Sequence, residues 1–424
     1  MLFAIALLAS ACSGTSSSST SSSSTELRGA RLRVLAVWTG AEARRFAAVI
    51  RAFEAHTGVV IDYVSTGNRI ADELAARRAA HDLPDVAFVP QPGLLRQYAR
   101  AGLLVPLGAG TVNEVTRSYP PVWRELGSVD GRLYGVWFKA ANKSLIWYDV
   151  GAFERAGVIP PSSLEGLVAV ARKLATTRVP VFSLGARDGW TLTDWFENVY
   201  LALAGPGRYD ELAAHHMAWT DPSVKRALRL LSRLWSPSNV AGGAGRALTT
   251  TFEQSVRNAF SSPPDAAMVM EGDFVAGAIT GTTKARLGID ADVFPFPQAR
   301  VGDRFVVGGG DAAVVMRRSA AADAFVRYLA TPQAAVVWAR YGGFISANVN
   351  VDLSAYPDAV TRGIARALIE AGDGFRFDLS DLQPAQFGGI EGRGMRRRLQ
   401  DFLVTDDVDG TAAGLEADAT AAYG

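Results

Sequence analysis

The stretch RLRVLAVWTGAEARRFAAVIRAFEAHTGVVIDY, residues 31–63, limits the possible folds of this chain more than any other. From Arg31 to Trp38 it is short and apolar, with Leu32, Val34 and Val37 set against a single Arg33, the pattern of a buried strand. Thr39-Gly40-Ala41-Glu42 then matches a capping box, in which the hydroxyl and the carboxylate satisfy early helix N–H groups reciprocally. Phe46, Val49, Ile50 and Phe53 recur at helical spacing, with Arg44, Arg45, Arg51 and Glu54 mostly on the other side. Gly58 can take positive φ just past the helix, and Val59 to Val64 reads as a second strand. Strand, helix, strand predicts a right-handed parallel unit, and ligands gather at the carboxyl ends of such strands. Trp38 and Glu42 sit at that end.

The rest of the chain continues the alternation. Asp85 to Val89 is a third short strand, and Gln91 at its end is expected to face the same cleft. Gly131 to Tyr148 is rich in aromatics and carries Lys139, Asn142 and Lys143 inside an otherwise apolar run, as a segment crossing between two lobes would. Val179 to Leu184 reads as a strand. Gly189-Trp190-Thr191-Leu192-Thr193-Asp194-Trp195 opens a helix running on to Ala204. Ala266 to Met270 is a buried strand leading into Glu271-Gly272-Asp273. Arg304 to Gly310 reads as a strand ending in a triple glycine, and Asp311 to Met316 as a second strand and another crossing. Two helices follow, the second stopped by Gly342-Gly343. With 424 residues the chain exceeds one compact core, so two α/β lobes are expected.

Composition narrows the function classes. A formal net charge of +1 argues against nucleic acid or a polybasic membrane contact. Cys12 is the sole cysteine, which leaves no internal disulfide and no zinc site built on cysteine, and His56, His81, His215 and His216 show no metal spacing. Thr405-x-Asp407-x-Asp409-Gly410 with Glu416 resembles a calcium loop, but Thr405 stands where Asp is needed and Ala413 at position nine. No cofactor or metal is expected. No GxxxxGK[ST] occurs, so the chain is not expected to hydrolyse ATP itself. Paired carboxylates also suit a glycosidase, an alternative that depends on a separation that sequence does not measure.

Leu2 to Ala11 is apolar and too short to span a bilayer, and Leu8-Ala9-Ser10-Ala11-Cys12 precedes an almost pure Ser/Thr run to Thr25. Small residues before a lone cysteine resemble the lipobox of bacterial lipoproteins. Residues 1–12 are read as signal peptide and lipobox with lipidation at Cys12, and 13–30 as a tether. Nothing before Cys12 is charged, whereas signal peptides open with positive charge, so a start further upstream is expected.

The whole mature chain resembles the family 1 extracellular solute-binding proteins, the carbohydrate-binding lipoproteins of bacterial ABC importers. The residues that carry this are Phe53-Glu54 with Thr57-Gly58, Pro84-Asp85-Val86, Ala101-Gly102-Leu103 with Pro106-Leu107, Gly131-Arg132-Leu133-Tyr134-Gly135-Val136, and Tyr328-Leu329 with Pro332. Trp38-Thr39-Gly40, Gln91-Pro92-Gly93, Gly189-Trp190 with Thr193-Asp194-Trp195, Gly308-Gly309-Gly310-Asp311 and Phe377-Asp378 with Ser380-Asp381 are most similar to α-glucoside-binding members. The resemblance implies a two-lobe type II periplasmic-binding-protein fold with a hinge and an interlobe cleft. Lobes of 31–138 plus 304–348 and of 139–303 plus 349–424 are expected.

It also implies a non-enzymatic, monomeric protein on the outer face of the cell membrane, delivering an α-glucoside-like sugar to ABC permease subunits. A polyol, amino sugar or other small solute is the alternative cargo. A sugar presents apolar ring faces and a rim of hydroxyls, so aromatics and charged groups at strand ends are the candidates. These are Trp38, Glu42, Gln91, Trp190, Asp194, Trp195, Glu271, Asp273, Asp311 and Asp378, with Gly342 and Gly343 placed beside the cleft by the resemblance.

Overall fold

The computed structural model describes residues 27–300 and 302–424; the lipobox and Cys12 lie outside the described residues. Strand β1 (Arg31–Ala36), helix α1 (Gly40–Thr57) and strand β2 (Val60–Ser65) form the expected parallel unit, with Arg31 opposite Val60 and Ala36 opposite Ser65. Phe46, Val49, Ile50 and Phe53 are the buried face of α1, and Gly58 closes it at φ 73°. The capping box does not form: Thr39 makes no side-chain cap bond. Glu42 accepts instead from the Lys139 ammonium, a charge-assisted bond stronger than a neutral cap.

Strand β3 (Val86–Val89) flanks β1 on its other edge, also parallel. It is followed by β4 (Gly135–Asn142), β5 (Leu145–Asp149), β6 (Met268–Met270), β7 (Ala291–Pro295), β8 (Val306–Val315) and β9 (Phe375–Phe377). The first sheet runs β9-β8-β3-β1-β2, with β4 paired to β8; the second is β6-β5-β7 and antiparallel. The helices that shape the site are α2 (Trp190–Ala213), α3 (Phe252–Phe260), α4 (Val275–Thr282), α5 (Pro332–Ala339), α6 (Leu379–Leu382), α7 (Gly394–Thr405) and α8 (Val408–Tyr423). Gly205, at φ 79° and ψ 169°, breaks α2 just after Ala204.

The chain passes between the sheets at Lys143-Ser144, between β7 and β8, and after β9. The three crossings lie side by side. Gly310 is opposite Ala140 and Gly308 opposite Asn142, and the Asp378 N–H donates to the Gly308 carbonyl at 2.7 Å. The expected pair of strands around the triple glycine is one continuous strand. Its glycines admit close neighbours: a Cβ on Gly310 would stand 2.4 Å from the Lys139 carbonyl, and one on Gly309 2.8 Å from the Lys143 side chain. The β4–β8 register shifts between Asp311 and Ala312, and such bulges re-aim a side chain.

Three further expectations change. Val179 to Leu184 is not a strand; only Phe182 makes isolated bridges, to Val240 and Met268, because the neighbouring β6 is three residues long. The first crossing falls after Asn142 rather than at 138. Strand β9 pairs with β8 in the first sheet, Val306 opposite Phe375 and Gly308 opposite Phe377, so the chain is still with the first sheet at Phe377 and the last crossing lies near Asp378 rather than at 348. The calcium-loop resemblance is spent on caps: Asp407 caps α8 through the Gly410 N–H, and Glu416 accepts from the Trp219 N–H at 2.6 Å.

Candidate ligand-binding site

A cavity of about 590 Å³ opens between the two sheets, beside the carboxyl ends of β1 and β3. Of the residues expected to reach a ligand, Trp38, Glu42, Gln91, Trp190, Asp311 and Asp378 line it. Residue Trp190 begins α2 and is half-buried. Its ring lies 5.5 Å from Phe252 and 6.0 Å from Phe274, which are 5.1 Å from each other. These three rings make an apolar wall of the second lobe. Lys143 Nζ sits 5.6 Å from the Trp190 centroid, in range of a cation–π contact.

The first lobe supplies the opposite face. Trp38 sits at the cavity but is 1% exposed and packs on Phe46, Phe88 and Trp338 at 4.6, 4.7 and 4.8 Å. What it offers the site is its indole N–H, donated to Asp311 Oδ2 at 3.0 Å. Burial pushes the Asp311 carboxyl up to about 6, against the pull of Lys139. Burial works against charging Lys139 as well, but Glu42 and Asp311 outweigh it and raise its pKa. Gln91 is buried and ties β3 across to the Gly389 carbonyl at 3.0 Å.

Below the cavity a single ammonium holds several acids. Lys143 Nζ donates to Asp194 at 3.1 Å and to Asp378. Glu197, one turn along α2 from Asp194, accepts from the Leu379 and Ser380 N–H groups at 2.8 and 3.0 Å, which anchors α6. Burial raises Asp194 to about 7, with Lys143 opposing. At Asp378 burial is overcome by Lys143, and the carboxyl is held below the ordinary range. Asp194, Glu197 and Asp378 bring oxygens within 4.8 Å of one another, but Lys143 already supplies the positive charge such a group needs.

The remaining expected residues stand off the cavity surface. Asp194 and Glu271 lie beneath it, and Asp273 accepts from the Asn142 N–H at 2.9 Å. Residue Trp195 is core, packed on Phe182 and Trp235, because it points a hundred degrees of helix away from Asp194. Gly342 and Gly343 meet Arg45 and α4 instead, the Gly342 carbonyl accepting from Arg45 Nη1 at 2.9 Å.

Sequence reasoning noted Lys139, Lys143 and Asp381 without choosing them, and it missed Glu197, Phe252, Phe274 and Arg396. Glu197 was legible, being seven residues beyond Trp190 and three beyond Asp194 on one helix face. Phe252, Phe274 and the buried Arg396 arrive from separate elements and carry no local signal.

The sequence profile described as bacterial extracellular solute-binding protein matches residues 39–336. The chain belongs to this family. Osmoprotective compounds-binding protein GgtB of Synechocystis is 32% identical over 366 residues, covering 84% of this chain and 86% of that protein. Alpha-glucosides-binding periplasmic protein AglE of Rhizobium meliloti is 31% identical over 380 residues, covering 86% and 82%. Among solved structures, the bacterial solute receptor AcbH superposes with a TM-score of 0.81 at 17% identity, over 93% of this chain and all of that one. RafE in complex with raffinose gives 0.77 at 16%, over 93% and 100%. The two-lobe periplasmic-binding-protein fold follows. As a solute-binding protein of this family the chain is extracytoplasmic and not an enzyme. No helix among the described residues is long and apolar enough to cross a membrane.

Proposed function

We propose that this solute-binding protein is the lipid-anchored receptor of an ABC sugar importer, capturing an α-glucoside-like di- or oligosaccharide and handing it to permease subunits served by a separate ATPase. One observation carries the reading: the Trp190, Phe252 and Phe274 wall lines one cavity together with Lys139, Asp311 and Asp378. Aromatic faces suit sugar rings, and buried charged groups suit hydroxyls. The volume falls in the range of pockets for ligands of this scale, roughly 300–1,000 Å³. AglE, an alpha-glucosides-binding protein, supports α-glucosides; GgtB, which binds osmoprotective compounds, keeps an osmoprotective solute such as a polyol as the second reading. Glu42, Gln91, Trp190, Asp311 and Asp378 are the proposed contacts, with Trp38 holding Asp311 from behind. Lipidation at Cys12 would place the protein on the outer face of the membrane as a monomer.

The test is a thermal-shift screen of the chain from Glu26 onward against trehalose, maltose, sucrose, maltodextrins, xylo- and galacto-oligosaccharides, polyols and amino sugars. A ligand at ~100 times its dissociation constant adds about 2.7 kcal/mol of stability, a shift of degrees. An α-glucoside is expected to give the largest shift; silence from every sugar, with a response to a non-sugar solute, would overturn the reading.

A further inference from the structure

We propose that Glu271 and Asp194 form a proton-binding site beneath the cleft, sharing one proton, and that this proton is coupled to ligand binding through Lys143. The geometry is a shortage of donors. Glu271 is 2% exposed and neither of its carboxyl oxygens has a hydrogen-bond partner. Asp194 is fully buried; its Oδ1 takes Lys143 at 3.1 Å and its Oδ2 has no partner. The two side chains lie within hydrogen-bonding reach of one another.

Every other charged or titratable group around them is already engaged or adds negative charge. Glu197 on α2 holds the N–H groups of α6, and the Tyr209 hydroxyl reaches it at 3.4 Å. Asp378 takes Lys143, the Ser380 hydroxyl at 2.7 Å and the Asp381 N–H. Asp273, in the same turn as Glu271, accepts from the Asn142 N–H through Oδ1, its Oδ2 has no partner, and it adds negative charge. Burial, followed by Asp378, pushes Asp381 well up, with Lys143 and Arg396 opposing. Arg396 donates to the Gly388 carbonyl at 3.2 Å.

Three buried carboxyl oxygens, two on Glu271 and one on Asp194, therefore lack a hydrogen-bond donor. A naked buried carboxylate is far costlier than a neutral acid. A proton on Glu271, donated to Asp194 Oδ2, partners two of the three oxygens, removes one of the two buried charges and leaves Asp194 one charge to hold Lys143. Like-charged carboxyls in contact share a proton in this way. Burial and the neighbouring Asp194 both push Glu271 well up.

Loss of that proton puts a second negative charge beside Asp194. Lys143 is then drawn toward the pair and away from Asp378, which sits at the end of the first sheet. Lys143 also lines the cavity under Trp190, so ligand affinity falls as the pair ionises. The sign for folding agrees. A carboxyl whose folded value is raised stabilises fully below its unfolded value, about 4, and the benefit is lost as pH rises through the folded value. For Glu271 burial and the neighbouring Asp194 place that value well above the ordinary carboxylate range. Asp273 and Asp311, raised to about 7 and about 6, act in the same sense, so a difference between variants is the informative quantity.

The coupling, though not the shared proton, rests on the sugar-binding reading. The experiment therefore has ligand-free and ligand-bound arms, on the chain from Glu26 onward. Infrared difference spectra of wild type minus Glu271→Gln at about pH 6 should show the C=O stretch of a protonated carboxyl, and the fall in melting temperature toward about pH 8.5 should be shallower in Glu271→Gln. Asp194→Asn is the second isostere if the first does not fold. With maltose or trehalose, whichever raises the melting temperature more, wild-type affinity should weaken about tenfold between those pH values, one pKa unit of coupling, and less in the variant. No protonated-carboxyl band, or a pH dependence unchanged in the isostere, overturns the proton site. A band without pH-dependent affinity overturns the coupling alone. A protein that binds neither sugar counts against the sugar reading and leaves the ligand-free arms to decide.

Discussion

Trp38 and Asp311, 273 residues apart in sequence, meet through an indole N–H to carboxylate bond of 3.0 Å where β1 ends and the bulge in β8 begins. The bond explains why a tryptophan at a cleft-facing strand end is almost wholly buried. It also fixes the Asp311 carboxyl at the cavity with Lys139 behind it. Asp311→Ala should therefore weaken sugar binding more than tenfold and, by stranding a buried N–H, cost about 1–3 kcal/mol of stability. Asp311→Asn keeps an acceptor for the indole and should recover most of the stability but not the affinity. Calorimetric titration and denaturant unfolding of the two variants separate these effects; equal affinity in all three proteins would remove Asp311 from the site.

The aromatic wall makes a second prediction. Trp190→Ala should weaken sugar binding more than tenfold, about 1.4 kcal/mol or more, with the fold intact. Trp190→Phe should lie between, because a smaller ring covers less of the sugar face. Titration of both variants, checked by circular dichroism, is the measurement. Wild-type affinity in Trp190→Ala would mean that the ligand sits on another surface.

How much of this was readable in the chain depends on what kind of pattern carried it. The parallel unit over 31–63 and the buried face of α1 were legible because 2.0- and 3.6-residue periodicities are local. Trp190 and Asp194 were legible as neighbours for the same reason, as one turn of one helix, although only Trp190 reaches the cavity surface. Glu42 was named for the cleft and lines it, but its partner was not legible: the capping box competed with Lys139, 97 residues away, and the ion pair won. The triple glycine suggested a break between strands, whereas the need was room for β4 and Lys143 beside a continuous strand. Trp195 and Glu271 show the limit from the other side, since their residue types suit a sugar site while their directions are set by packing.

Lys143 makes the third prediction. It is the shared cation of Asp194 and Asp378, which come from α2 and from the end of β9. Removing one partner of a buried pair leaves uncompensated charge, typically 3–5 kcal/mol. Lys143→Met should destabilise by about that much at neutral pH, and less at about pH 5, where the freed acids take up protons. Urea unfolding at the two pH values is the check. A loss below about 1 kcal/mol, the scale of an exposed pair, would mean that water already screens the ammonium.

The last prediction concerns how far the lobes close. Arg45 on α1 donates Nη1 to the Gly342 carbonyl at 2.9 Å and Nη2 to the Gly277 carbonyl on α4 at 3.4 Å. Gly277 and Gly343 touch through their backbones: a Cβ on Gly277 would stand 3.2 Å from Gly343 Cα, and 2.4 Å from Arg45 Nη1. The guanidinium can swing aside, but Gly343 is backbone at φ 66° and has nowhere to go. A side chain at 277 therefore acts as a wedge between α4, which follows the second sheet, and the segment after α5. Ligand that touches both lobes is held only as tightly as the lobes close on it. Gly277→Leu should keep both cores and weaken sugar binding, tenfold if the wedge moves the closing equilibrium by about 1.4 kcal/mol. Gly277→Ala should do less, and small-angle scattering of the sugar-saturated Leu variant should show a larger radius of gyration than wild type. Unchanged affinity and scattering in Gly277→Leu would show that this contact is not a stop on closure, because a wedge that is felt must either open the lobes or strain the bound state.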